Sequence, residues 1–435
     1  MPYALFAAIP LIGHLNPLIR QAEELGRRGW RVAIAAHSER RAHVALESPA
    51  LEFVDLGPLG AIAAELRRTE EAASRDPNFV RGTLRIVRGL GAVWPSMYDG
   101  LLASISSDRP DIVIADLFSS AAMCAAERAG VPFAVNNPDL LASLPVTLLP
   151  PADQVPFLFS GKSIRDVGRG QRMTGPIIRR IAALATTLTV GRDLNAYRAS
   201  RGLTRTTPDA LLRDHLILVD GAFGLEYERP LPRDVHMVGP MMPDVIPALP
   251  DDLARWLADG PPVVYVNLGT MAVATDAQLA AMLDALTSDR FRALWILAAP
   301  QQARLARARS ASVRVESWGP APAAVLRHEN VRVFVSHCGI NSVHESIVAG
   351  TPIVGIPMFA DQRDMAIRVA DAGVGVWIDK RKLERDALRS SIVRVMDDAS
   401  FAAAIPKIQA AFARAGGVRR AADLITQRLA ESRRA

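Results

Sequence analysis

The amino-acid sequence predicts an α/β protein of two domains, each built on a parallel sheet. Three observations predict it. Residues 3–9 (YALFAAI), 111–118 (DIVIADLF) and 262–268 (PVVYVNL) are near-continuous apolar runs of the kind buried on both faces of a parallel sheet, and helical periodicity alternates with them. The 435 residues exceed one ordinary core and suit two domains of about 200 residues each. Between the halves, residues 238–250 hold Pro240, Pro243, Pro247 and Pro250, a stiff linker composition. Residues 1–237 are thus expected to form one domain, 238–250 the linker, and 251–415 the other domain.

Composition excludes several function classes. Half of the residues are apolar and 22% are charged, the balance of a folded globular protein. The net charge of +6 is carried almost wholly by arginine, since lysine occurs only at positions 162, 380, 382 and 407. The arginines are scattered along helices without a recurring aromatic-basic module, so a solvated basic surface is expected and nucleic acid is not expected as a partner. Cys124 and Cys338 lie far apart in apolar runs. They make neither a zinc site nor a disulfide framework, and buried free thiols in a reducing, cytoplasmic compartment are expected. The apolar start lacks a basic segment and meets His14 and Asn16 at once, which reads as a strand rather than a signal peptide. No run of about 18 uncharged apolar residues occurs, so no integral membrane segment is expected.

In chain order, strand 3–9 is followed by a loop (10–15) and by Asn16-Pro17, which reads as an N-cap with proline at the first helical position. The helix 17–28 stops at Gly29, and 30–36 is the next strand. The opening IPLIGHLNP lacks the G-x-G-x-x-G glycines, which argues against a dinucleotide cofactor. It places His14 at the carboxyl end of a strand, where ligands of open α/β sheets bind. Residues 57–100 read as a loop with irregular helices, containing Phe79, Trp94 and Met97. The strand 111–118 carries Asp116 at its carboxyl end, on the rim of His14, where a carboxylate would fix the imidazole tautomer. Asp111, at the strand's start, lies on the opposite rim. After helix 121–129 and strand 131–135, the Pro- and Leu-rich stretch 136–159 suits either the lining of an apolar pocket or a structural loop. Residues 175–200 read as a helix, and 216–219 as the last strand of the first domain.

The second domain is expected to open with strand 262–268, ending at Gly269-Thr270, and Thr275-x-x-Gln278 caps the helix that follows. Strand 293–298 follows, and residues 313–318 lead to VRVFVSHCGINSVHESIVAGTPIVGIPMFADQ, residues 331–362. Here a strand runs through a His-Cys-Gly turn into a helix opening near Asn341 or Ser342, which aims backbone N–H groups and a helix dipole at one point. That is an anion site. His337, Gly339, Asn341 and Ser342 suit a phosphate, and Glu345, one turn further on, suits a ribose diol. Ser342-x-x-Glu345 also reads as an ordinary capping box.

This run, with Trp318-Gly319-Pro320 upstream of it, resembles the donor-binding signature of the UDP-dependent glycosyltransferases of family 1, which include bacterial macrolide glycosyltransferases. The resemblance implies a GT-B fold, two Rossmann-like domains with parallel sheets facing a deep cleft, and a last segment (416–435) crossing back to the first domain. It further implies that Trp318 stacks near the nucleobase and that Thr270, His337, Gly339, Asn341 and Ser342 hold the diphosphate. Glu345 would hold the ribose, and Asp361 and Gln362 the sugar hydroxyls. GHLNP resembles the motif whose histidine is the catalytic base, which assigns that role to His14 and the orienting role to Asp116. In this family the variable part of the first domain holds the acceptor, which points to Ile12, Phe79, Trp94, Met97, Asn137 and Phe157 and to a hydrophobic small molecule. The expected reaction is inverting, metal-independent transfer of a hexose, glucose first, from a UDP-sugar co-substrate, with no further cofactor. A thymidine nucleotide remains an alternative, and oligomeric state is left open. The rival readings are a sugar-nucleotide epimerase of the same fold and a non-catalytic sugar-nucleotide-binding partner protein.

Overall fold

The computed structural model describes residues 1–305 and 312–434. The apolar runs form two wholly parallel sheets. The first contains β1 (Tyr3–Ala7), β2 (Arg31–Ala36), β3 (Glu52–Asp55), β4 (Ile112–Asp116), β5 (Phe133–Asn137), β6 (Ile217–Val219) and β7 (Val235–Met237), in the order β3-β2-β1-β4-β5-β6-β7. The second contains β8 (Val263–Asn267), β9 (Arg292–Ile296), β10 (Val313–Glu316), β11 (Val331–Ser336), β12 (Ile353–Gly355) and β13 (Gly375–Trp377), in the order β10-β9-β8-β11-β12-β13. Each order reverses once, between β1 and β4 in the first sheet and between β8 and β11 in the second. At such a reversal neighbouring crossovers leave on opposite faces and open a crevice at the carboxyl ends of the strands. The register sets Ala7 beside Ala115 and Ser336 beside Asn267, so the loops of each central pair emerge side by side.

Four local expectations are corrected. The first helix spans Ile12–Arg27, begins before His14, and contains Pro17 in its interior instead of starting there. Proline has no N–H for the carbonyl four residues earlier, so the Gly13 carbonyl is left open; it accepts a 2.7 Å hydrogen bond from Asn341 Nδ2 of the other domain. Second, residues 57–100 are not irregular, because Ala61–Arg75, Phe79–Gly91 and Trp94–Ser107 are regular helices. Their apolar positions recur at helical spacing, and Asn78 caps the second through a bond from Arg81 N. Third, β6 is not the last strand of its sheet, since β7 pairs beyond it. Fourth, helix Asp251–Ala258 precedes β8, with Asp251 and Asp252 in its first turn, where the helix dipole favours acids.

The chain passes between the two sheets twice, and the passages touch. Gly417 N donates to the Val238 carbonyl at 2.6 Å. Gly239, Gly416 and Gly417 all have positive φ there, and a Cβ on Gly239 would lie 3.0 Å from that of Ala415. The final helix, Gly417–Ser432, buries Ala421, Ala422, Ile425 and Leu429 in one apolar cluster with Leu15, Leu18, Ile19 and Ala22 of the first helix. Arg28 binds Asp423, and Arg433 binds Asp111, whose other oxygen accepts from Tyr3 N. The far rim is closed by Arg368, which pairs with Glu226 at 2.9 Å, both buried, while Asp371 accepts from Tyr227 and Ser163. Cys124 and Cys338 are buried and free. No described helix is long and apolar enough to cross a membrane.

Candidate active site

The carboxyl ends of the two sheets face one cleft of about 1520 Å³. On the first-domain side, β1 and β4 deliver an imidazole and a carboxylate to the sheet reversal. His14 sits in the first turn of its helix and Asp116 closes β4, and His14 Nδ1 meets Asp116 Oδ1 at 2.7 Å. Asp116 is fully buried; its Oδ2 accepts from Phe118 N at 3.2 Å and from Ser119 Oγ at 3.4 Å, so the carboxylate is held from behind. Phe118 meets the imidazole edge-on, 5.3 Å between ring centres. These contacts fix the ring and leave Nε2 for the cleft. Burial lowers the pKa of His14, but the Asp116 carboxylate, seconded by Asp139 and Asp361, wins and raises it to about 9.

Asp139 is a site residue that the sequence reading missed. It lines the cleft after β5, and burial followed by the nearby Asp116 holds its pKa up, with His14 opposing. The rule that selected Asp116, an acid following the carboxyl end of a central strand, would have found it in Asn136-Asn137-Pro138-Asp139.

On the second-domain side, β11 runs into helix Ile340–Ala349, with Gly339 as N-cap and no side-chain cap. Ser342 and Glu345 therefore do not form a capping box, and the first-turn amides keep their donors for a ligand. The His337 ring is sandwiched between two glycines. A Cβ on Gly269 would stand 2.7 Å from the ring and one on Gly339 would stand 2.4 Å from Nε2, so both positions exclude a side chain. Burial, opposed by the Asn267 backbone, lowers the His337 pKa to about 4, making it a neutral imidazole. Thr270 is exposed on the loop after β8 and, like Asn341 and Ser342, lines the cleft. Burial, with Glu47 adding and Arg20 opposing, raises Glu345 to about 7. Trp318 is 65% exposed at the cleft edge, an open face for a planar ring. Asp361 precedes helix Gln362–Asp371, and burial, then Asp139 and Asp364, hold its pKa well above the usual range. Gln362 is largely committed: its Oε1 accepts from Met358 N and Phe359 N and pins the loop, leaving its amide NH₂ for a ligand.

The acceptor assignments divide. Ile12, Trp94 and Phe157 line the cleft. Phe79, Met97 and Asn137 do not. Phe79 is buried beneath Arg363 and Lys380, which approach its ring at 4.9 and 5.1 Å. Met97 is packed in the first-domain core. Asn137 turns inward, donating to the Leu140 carbonyl and accepting from Asp139 N. The stretch after β5 does line the cleft, through Leu144, Pro145, Leu149 and Phe157, together with Ile178, Ala182 and Leu212.

Two doubly wound sheets facing a common cleft, with a His-Asp pair on one side and a glycine-flanked helix mouth on the other, make up the GT-B architecture. The same architecture occurs in the glycotransferase of kitacinnamycin (TM-score 0.69, 20% identity, 98% of this chain and 99% of that one). It also occurs in Phytolacca americana UGT2 complexed with UDP-2fluoro-glucose and pterostilbene (TM-score 0.66, 19% identity, 99% of each chain). The family profile described as UDP-glucoronosyl and UDP-glucosyl transferase matches residues 98–411, and the chain belongs to that family. Among relatives, the 4'-demethylrebeccamycin synthase of Lentzea aerocolonigenes is 25% identical over 97% of this chain and 98% of its own. The UDP-glycosyltransferase stmC of Aspergillus ustus is 25% identical over 76% of this chain, which spans 67% of that protein.

Proposed function

We propose that this protein transfers a hexose, glucose first among them, from a UDP-sugar to a hydroxyl of an apolar small molecule, with inversion and without a metal ion. The observation that carries this reading is the single cleft lined by His14 from one domain and by the His337 cradle from the other. His14 Nε2 takes the proton of the acceptor hydroxyl as its oxygen attacks the anomeric carbon. The bond from that carbon to the diphosphate oxygen breaks, and UDP leaves with the electron pair. Asp116 stabilises the imidazolium that forms. Thr270, His337, the first-turn amides of helix Ile340–Ala349 and Ser342 meet the charge developing on the leaving oxygens.

Asp361 and the free amide of Gln362 suit a sugar with ordinary hydroxyls. A deoxysugar would leave them unpaired, at about 1–3 kcal/mol per lost contact. The apolar wall of Trp94, Leu144, Leu149 and Phe157 suits a hydrophobic acceptor, in keeping with relatives and neighbours whose names refer to natural products. A thymidine nucleotide is the specific alternative at the donor end, since the neighbouring glycosyltransferase VinC was solved in complex with dTDP.

The test is a screen of UDP-glucose and dTDP-glucose against polyketide, flavonoid and terpenoid alcohols, read by mass, with and without a chelator. A hexose mass gain that survives chelation and disappears in His14→Ala is expected. Turnover of UDP-glucose to an isomer without any acceptor would identify an epimerase instead. Donor binding with no transfer to any acceptor, and no effect of His14→Ala on the protein's biological role, would identify a binding partner.

A further inference from the structure

Helix Arg169–Thr186 is a wall with two faces. Ile178, Ala182 and Thr186 line the cleft from one side. On the other side, Met173, Ile177, Ile181, Leu184 and, in the turn that follows, Leu188 are exposed. At 100° per residue these five fall within an arc of about 80°, a continuous apolar stripe. The remaining exposed large hydrophobic residues among those described are Met1, Leu46, Val80, Leu84, Val245 and Trp318. Of these, Leu46, Leu84, Val245 and Trp318 line the cleft, so the stripe is the main apolar surface outside it. Between Val167 and Arg192 the sequence holds five arginines and no acidic residue; Arg179 turns to the cleft, where it donates to the Leu149 carbonyl, and Arg192 pairs with Asp193. Arg180 is exposed beside the stripe.

A helix with an apolar stripe, arginine at its flank and no acids matches the chemistry of a bilayer surface, with acyl chains below and anionic headgroups above. We propose that the outer face of helix Arg169–Thr186 docks on an anionic lipid bilayer, lying in the interface without crossing it. The wall between the bilayer and the cleft is then one helix thick, about 10 Å. An apolar acceptor dissolved in the lipid has a short path to Trp94 and Phe157. This last step rests on the transferase reading, whereas the docking does not.

Sedimentation of the full chain with vesicles tests it. Vesicles containing phosphatidylglycerol should retain the protein at low salt and release it as salt rises, and pure phosphatidylcholine should retain at least about tenfold less. The triple change Ile177→Gln, Ile181→Gln, Leu184→Gln should lower binding to the anionic vesicles at least about tenfold. These side chains do not line the cleft, so UDP affinity and transfer to a water-soluble acceptor should be unchanged and report an intact fold. No vesicle binding by the unaltered protein, equal binding by the triple variant, or equal binding to both vesicle types overturns the proposal. So does a dimer, seen by analytical ultracentrifugation in place of vesicle binding, that the same three changes dissociate; the stripe would then cover a second copy of this chain. Vesicle binding without any transfer would leave the docking standing and count against the transferase reading.

Discussion

The two walls of the cleft are built in different ways. The wall proposed for the donor is centred on one contiguous unit, β11, a turn and helix Ile340–Ala349, joined by the loop after β8, by Trp318 and by Asp361-Gln362. Its backbone supplies much of the chemistry, and its glycines are where a ring or a ligand comes close. The acceptor wall is assembled from distant pieces: the first turn of the first helix, Trp94, the stretch after β5 and helix Arg169–Thr186. It is mostly apolar and offers shape, with His14, Asp116 and Asp139 as titratable groups at its sheet reversal. A nucleotide diphosphate is a fixed ligand that a fixed motif can bind, whereas an apolar acceptor is met by a packing of side chains that many sequences can supply.

Changes at the two walls should separate kcat from binding. The largest effect is expected for His14→Ala, a loss of at least about 10²-fold in kcat with UDP affinity unchanged, by titration calorimetry. An equal loss of UDP affinity would mean that the two walls are not independent. On the donor wall, Gly339→Ala places a Cβ where the His337 ring lies, 2.4 Å from Nε2. Displacing that ring should weaken UDP binding about tenfold or more, the worth of one charge-assisted hydrogen bond, while thermal stability changes little.

On the acceptor wall, two side chains distinguish packing from lining. Met97→Ala should lower unfolding free energy by about 2–5 kcal/mol and leave acceptor KM nearly unchanged in the folded fraction. Phe157→Ala should do the reverse, raising acceptor KM several-fold at little cost in stability; matching effects from both would mean that the lining has been misassigned. The last expected change is in pH dependence. A base must be neutral, and the Asp116 field holds the His14 pKa near 9, so kcat/KM should climb from pH 7 towards pH 9 and level above it. Asp116→Asn should shift that limb to lower pH while reducing the maximum. For folding the sign is opposite: protonation of His14 stabilises the native state below the unfolded pKa, and that contribution fades as pH rises through 9.

The linear order of residues determined a good deal. Apolar runs buried on both faces announced parallel strands, and the His-Cys-Gly turn announced a helix opening just beyond it, because local backbone geometry makes such a turn without help from elsewhere. The box Thr275-x-x-Gln278 was legible for the same reason, and both of its bonds form. Local rules failed where a distant partner outweighed them. Asn16-Pro17 reads as a helix start, yet the helix begins at Ile12, and the carbonyl that Pro17 leaves open is satisfied across the cleft by Asn341. Phe79 and Met97 are as apolar as Trp94, and only packing decides that the first two are buried in cores while the third meets the cleft. Asp139 acquires its raised pKa from a burial that no spacing predicts, with Asp116 adding to it and His14 opposing. Backbone hydrogen bonding and hydrophobic periodicity are local and can be read along the chain; desolvation, charge coupling and the choice of lining over core depend on which segments meet in space, and the folded structure alone decides that.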